Sequence, residues 1–249
     1  EILDADVAAE MEAIFEMDAS NCVELTLEEW QGRSLAMKVS DHVARKGTDS
    51  VWGQLKGGVT YALHNAELRG LLVFSFFFST FGISYMTILP AFVQVQLNAD
   101  AAAYGLLTSA AGLGAVTGAF LLATYGDRGF RGRWLFAAAM VFPFLLAIFA
   151  FSRTLPVALA LGYVLGLGFM FQFTLLNTLL QTRVVDAMRG RVMSLYTLII
   201  FGFSPIGNLI IGSLSEQIGL TPAILGTAAI TLVAGVGIFA WTPQLRRLP

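Results

Sequence analysis

The stretch TLPVALALGYVLGLGFMFQFTLLNTLLQT, residues 154–182, runs for 29 residues without a charged side chain. A helix needs about 20 apolar residues to cross a hydrocarbon core roughly 30 Å thick, at about 1.5 Å of rise per residue. This stretch therefore predicts a transmembrane helix. Working outward, five more charge-free windows appear at 70–99, 101–126, 134–152, 192–215 and 217–245, holding 30, 26, 19, 24 and 29 residues. Six such windows in succession predict an all-α integral membrane bundle with spans at about 70–93, 103–125, 133–151, 156–181, 191–213 and 220–241.

Charge divides the chain in two. Residues 1–50 hold 12 acids and 4 bases, whereas 51–249 hold 5 acids and 11 bases. Overall 13% of residues are charged, against about 25% in a soluble domain. The composition excludes a single soluble globular domain and a nucleic-acid binder. Cys22 is the only cysteine, so there is no disulfide framework, and it has no partner ligands for a metal. No cofactor is expected. The chain begins at Glu1 rather than methionine, and the expectation is a piece of a longer reading frame.

Short loops set the orientation. The connection after the second span carries Asp127, Arg128, Arg131 and Arg133; the one after the fourth carries Arg183, Asp186, Arg189 and Arg191. Arg246 and Arg247 follow the sixth span, and Lys46, Lys56 and Arg69 precede the first. The opposite loops offer only Asp100, Arg153 and Glu216. Basic loops stay in the cytoplasm, so both termini are expected there, in a multi-pass protein of the plasma membrane.

Within the spans there is no Asp, Glu, Lys, Arg or His, hence no carboxylate to carry a proton through the bilayer. Uncharged polar residues do lie at depth: Ser84 and Tyr85 in the first span, Gln172 and Asn177 in the fourth, and Ser204, Pro205 and Asn208 in the fifth. Burying an amide without a hydrogen bond costs about 1–3 kcal/mol. These groups should face a partner helix or a wet cavity, so Ser84, Tyr85, Gln172, Asn177 and Asn208 either bond between helices or line a substrate path. Pro205 predicts a kink. Gly112, Gly114 and Gly118 in the second span, and Gly162, Gly166 and Gly168 in the fourth, predict close helix approach rather than a phosphate loop, which needs a preceding strand.

Residues 1–49 read as a soluble acidic helical segment. Val7, Met11, Ile14 and Phe15 share one helix face, and Thr26 to Glu29 has the form of a capping box.

Three stretches, WGQLKGGVTY (52–61), the loop from Gly126 to Arg133, and QTRVVDAMRGRVMSLY (181–196) continuing into PIGNLIIG (205–212), together resemble the C-terminal half of a major facilitator superfamily transporter, among bacterial exporters and permeases. The resemblance spans residues 50–249. It implies helices seven to twelve of a twelve-helix carrier whose two halves rock about a central site. It also implies a cytoplasmic gate. In the family's G-x-x-x-D-R-x-G-R-K loop, Asp127, Arg128 and Arg131 match, while Ala123, Phe130 and Gly132 depart. With Arg189 and Arg191 they form the candidate gate, the alternative being simple positive-inside bias. The expected partners are the lipid bilayer, a small or amphipathic substrate, and a missing N-terminal half or a second copy of this chain.

Residues 8–18 and 24–30 are similar to the C-terminal tail of phospholipase D-type cardiolipin synthases. That resemblance implies, as the alternative function, the membrane part of a fused phospholipid-synthesising enzyme with catalytic motifs upstream. The family's H-x-K-x-x-x-x-D motif is absent at His42, followed by Val43 and Ala44, and at His64, followed by Asn65 and Ala66. No catalytic residue is expected within the chain.

Overall fold

The computed structural model describes residues 51–125 and 130–248. The N-terminal segment, with His42, Cys22 and the likeness drawn for residues 1–45, lies outside the described residues, as do Asp127 and Arg128.

Local chemistry sets where each helix begins. Helix α1 (Val51–His64) stops at Asn65, whose side chain then accepts the Glu67 and Leu68 backbone N–H groups at 3.0 and 3.3 Å and opens α2 (Ala66–Phe77). Asn is a strong N-cap because its short side chain reaches these orphan donors. Among the described residues six helical segments are long and apolar enough to cross a membrane: Ala66–Gln96, Ala101–Thr124, Arg131–Ala150, Leu155–Arg183, Met188–Ile218 and Leu220–Trp241. They are called the first to sixth spans below. The first, third and fourth run past their charge-free windows, because Glu67, Arg131 and Arg183 sit within terminal turns. A charge breaks no helix once the backbone has left the hydrocarbon.

The first and fifth spans are not continuous α-helix. In the first, α2 passes into a π turn over Phe78–Gly82, where the Ile83 N–H donates to the Phe78 carbonyl five residues back at 3.1 Å. It then continues as α3 (Tyr85–Ala91) and a second π turn over Phe92–Gln96. In the fifth, α7 (Asp186–Thr197) leads to a π turn over Leu198–Gly202 and then α8 (Ser204–Ile218). The disruption thus precedes Pro205. The proline does not kink a helix interior; it sits in the first turn of α8, where its missing N–H costs nothing.

The second (α4, Ala101–Tyr125), third (α5, Arg131–Ala150), fourth (α6, Leu155–Arg183) and sixth (α9, Leu220–Trp241) spans are single helices. Packing pairs the second with the fourth most extensively, then the fourth with the third and the third with the sixth. The fifth lies against the first and the sixth. Rings of Phe74, Phe78, Phe142 and Phe239 join the first, third and sixth spans at centroid distances of 5.6–6.2 Å.

The second–fourth seam shows what the glycines do. A Cβ at Gly114 would fall 1.8 Å from the Tyr163 carbonyl oxygen, and one at Gly166 1.9 Å from that of Ala111. Gly118 and Gly162 are less tight, at 2.8 Å from the Leu167 carbonyl oxygen and 2.7 Å from the Leu107 side chain. Gly112 and Gly168 differ from the expectation. A Cβ at Gly112 would meet nothing within 4 Å, and Gly168 faces Phe142 on the third span. Across the seam the Tyr163 hydroxyl donates to Thr117 Oγ1 at 2.9 Å, and Thr117 donates to the Leu113 carbonyl at 2.8 Å.

Candidate transport surface and end clasps

The two ends of the bundle are tied differently. At the end opposite the arginine-rich loops, Gln96 Nε2 donates to the Ala150 carbonyl at 3.2 Å and to Thr221 Oγ1 at 3.1 Å. Thr221 donates to the same carbonyl at 3.1 Å. One amide and one hydroxyl thus join the first, third and sixth spans, satisfying a carbonyl that the end of the third span would leave open. Beside it Asp100 caps the second span through the Ala103 N–H at 3.1 Å.

At the basic end the gate candidates occupy three settings. Arg131, half-buried at the start of the third span, lines a cleft of about 400 Å³ with Ala119, Ala123, Thr174 and Thr178 of the second and fourth spans. Arg189 pairs with Asp186 one turn away at 2.5 Å, both exposed. Such an exposed pair contributes at most ~1 kcal/mol. Arg191 lies against α1: a Cβ on Gly57 would come within 2.8 Å of its guanidinium, and one on Gly58 within 3.1 Å of its carbonyl oxygen. Sequence reasoning missed Glu67, whose carboxylate lies 3.8 Å from Arg183 and links the start of the first span to the end of the fourth. Its signal was available: a lone acid beside the first span, at an end otherwise rich in bases.

The five path candidates also separate. Ser84 is buried and its hydroxyl donates to the Phe81 carbonyl at 3.1 Å; the Tyr85 ring is buried edge-on against Phe149. Gln172 is fully buried, and neither its side-chain nitrogen nor its oxygen has a hydrogen-bond partner. Asn177 and Asn208 are half-buried. Asn177 accepts a hydrogen bond from Gln181 one turn on, and Tyr196, with its hydroxyl buried, packs its ring on Phe173.

Helical geometry explains the split. Residues five apart lie about 140° apart on an α-helix, so Gln172 and Asn177 cannot share a face. Phe169 touches Phe78 of the first span, Phe171 touches Trp134 of the third, and Phe173 touches Tyr196 of the fifth. Gln172 is turned among closely packed neighbours, whereas Asn177 and the exposed Gln181 lie on a more open side.

The barest surfaces belong to the second and fifth spans, each only 17% buried over its most apolar window, against 61% for the first. On the second span the open positions include Gly105, Thr108, Ser109 and Gly112; on the fifth, Gly190, Ser194 and Phe201. A Cβ added at Gly105, Gly112, Gly190 or Gly212 would meet no atom within 4 Å.

This architecture agrees with what the chain resembles. The family described as transmembrane secretion effector, a branch of the major facilitator superfamily, matches residues 32–247. The multidrug efflux pump Tap of Mycobacterium tuberculosis is 32% identical over 101 residues, covering 41% of this chain and 24% of the pump. Tap of Mycolicibacterium fortuitum is 25% identical over 144 residues, 58% of this chain and 35% of that protein. NiaP of Bacillus subtilis, named for niacin/nicotinamide transport, is 25% identical over 138 residues, 55% and 34% of the two chains. No solved structure matches. The match to this chain spans between a quarter and about a third of the length of these curated relatives. Nothing in these comparisons carries the phospholipase D-type likeness of the acidic segment, part of which the family match overlaps. The chain belongs to the transmembrane secretion effector family of major facilitator transporters.

Proposed function

We propose that this chain is one half of an alternating-access carrier that moves a small or amphipathic molecule, as an exporter or permease, across a bacterial plasma membrane. The observation that carries the reading is the bareness of the second and fifth spans. Each sets small and hydroxylated residues among large apolar ones such as Leu113, Phe120, Phe201 and Leu209, and small residues are what close helix approach requires. A complementary half, encoded in the same reading frame or supplied by a second polypeptide or copy, covers these faces and encloses the path between them. The efflux pumps among the relatives support export of an amphipathic compound. Residues 1–49 are, in this reading, a soluble acidic segment in the cytoplasm with both termini. Asn177 and Asn208 line the path. Arg131 and Arg189, with Asp127 and Arg128 of the neighbouring loop, form the cytoplasmic gate, and Arg191 steadies it against α1.

The test is efflux of a lipophilic cation such as ethidium from bacterial cells lacking their own pumps. Cells expressing the full reading frame should clear the dye. Those expressing this chain alone should not, until the complementary half is co-expressed. Transport by the isolated chain as a monomer would overturn the reading. Topology is checked separately with a membrane-impermeant maleimide on intact spheroplasts. Thr154→Cys should label and Arg189→Cys should not; the reverse pattern would invert the orientation.

A further inference from the structure

Helix α1 roofs a groove whose walls are the first and fifth spans. The groove has a volume of about 320 Å³, and Leu72, Phe76, Leu195, Ile199 and Phe203 form much of its apolar wall. Val59, Leu63 and Val73 stand exposed at its mouth. Among the described residues one lining residue is charged: Arg69, one turn from the start of the first span.

Arg69 is held in place but not neutralised. Its guanidinium donates to the Leu63 carbonyl at 3.3 Å and lies 4.9 Å from the centroid of the Trp241 ring. Glu67, two residues earlier, is turned to Arg183 on the fourth span. Among the described residues no carboxylate pairs with Arg69. The result is a guanidinium, beside a Trp241 ring that is 71% exposed, at the head of an apolar trough. From Arg69 to Phe76 the trough descends about 10 Å along the helix. The arrangement stands at the basic end, where the helix starts and the headgroups of a bilayer lie.

We propose that this groove seats one acyl chain of an anionic phospholipid, with its phosphate on Arg69. The complementarity is specific in both parts. A planar guanidinium offers paired donors to phosphate oxygens, Trp is at home at headgroup level, and the wall below accepts only hydrocarbon. The occupant is a lipid rather than the complementary half of the carrier, because the groove uses the wrong side of the fifth span. Leu195 and Ile199 line it, whereas Ser194, about 100° round α7 from Leu195, is exposed on another face. Seated there, the lipid fills the gap between α1 and the two spans whose π turns lie directly below.

The test uses the full-length protein in nanodiscs of phosphatidylcholine containing a minority of phosphatidylglycerol. A photoreactive benzoylphenylalanine replaces Val73. As a control it replaces Val141, in an apolar groove between the second, third and fourth spans. Adducts are identified by mass spectrometry. Adducts at Val73 should be enriched in phosphatidylglycerol about fivefold over its share of the bilayer, the factor one arginine gives an anionic lipid. Arg69→Gln should remove the enrichment, Arg69→Lys should keep part of it, and Val141 should report the bulk composition. Adducts at Val73 that follow the bulk composition, an enrichment that survives Arg69→Gln, or cross-links to protein in place of lipid would each overturn the proposal.

Discussion

Adding one methyl group at Gly207 tests whether the π turns of the first and fifth spans are held together at a single crossing. A Cβ built on Gly207 would lie 1.7 Å from the Thr80 carbonyl oxygen, 2.6 Å from its carbonyl carbon and 3.0 Å from its Cα. These are backbone atoms, so no side-chain rotation relieves the clash. Restoring even a tight contact of about 3.0 Å means moving the spans apart by about 1.3 Å. The Ser79 hydroxyl, 3.2 Å from the Ile199 carbonyl across the same crossing, would then lose that acceptor and keep only the Phe76 carbonyl on its own span, also at 3.2 Å. Forced overpacking costs ~1–3 kcal/mol, and an interhelical hydrogen bond in a membrane adds about 0.6 kcal/mol. A net loss of about 2 kcal/mol lowers Tm by roughly 4–8 °C if a unit of this size unfolds cooperatively. Gly212→Ala, on the same helix, is the control, since its Cβ meets no atom within 4 Å and alanine favours helix over glycine. The assay is thermal unfolding of both variants of the full-length protein in one detergent, with a Ser79→Cys/Ile199→Cys disulfide rate as the local readout. If Gly207→Ala unfolds at the same temperature as Gly212→Ala, and the disulfide forms as fast as in the parent, the crossing is not the constraint argued here.

Three further outcomes follow from the geometry. Gln172→Leu should raise stability by about 1–2 kcal/mol, because both unpartnered polar atoms disappear from a fully buried site; loss of transport without stabilisation would place Gln172 on the substrate path instead. Gln96→Leu should break the clasp between the first, third and sixth spans and cost ~1–2 kcal/mol, with Thr221→Val non-additive to it in a double-mutant cycle; additive effects would show two independent contacts. Asp127→Asn should slow transport by the full protein while leaving Tm unchanged, and unaltered dye efflux would remove Asp127 from the gate.

The spans were legible because a bilayer imposes a rule on every residue it surrounds. No water is available to a stray charge, so gaps between charges translate into helices. The rule stops at the interface, which is why the charge-free windows end short of the helices at Glu67, Arg131 and Arg183. The glycine seam was partly legible. Gly114, Gly118 and Gly166 pack against backbone as expected, yet Gly112 and Gly114 are two residues apart and so about 160° apart on the helix. Both could not meet the fourth span, and the spacing alone contained that fact. The π turns were not legible. Phe78–Gly82 carries no proline, and at Leu198–Gly202 the one available signal, Pro205, lies beyond the turn it was expected to cause. What sustains those turns is the neighbouring span, through Ser79 and Gly207, and contacts made across more than a hundred residues leave no local mark.

The polar residues show most clearly where a sequence stops. Counting from the ends of a charge-free window gives depth, and depth placed Gln172 and Asn177 in the same class. Function at mid-membrane depends on azimuth, and azimuth is fixed only by partners: Phe78, Trp134 and Tyr196, each on a different span, orient the fourth helix so that Gln172 turns inward while Asn177 stays half-open. A helical wheel could have shown that the two residues point apart, but not which of them points into a cavity. The same reasoning bears on the bare faces of the second and fifth spans. Each span is only 17% buried over its most apolar window, and Gly105 and Gly112 on the second, like Gly190 and Gly212 on the fifth, stand open among the described residues. A glycine in place of alanine costs helix stability in a lipid-exposed helix, which supports the proposal that another helix closes over these faces.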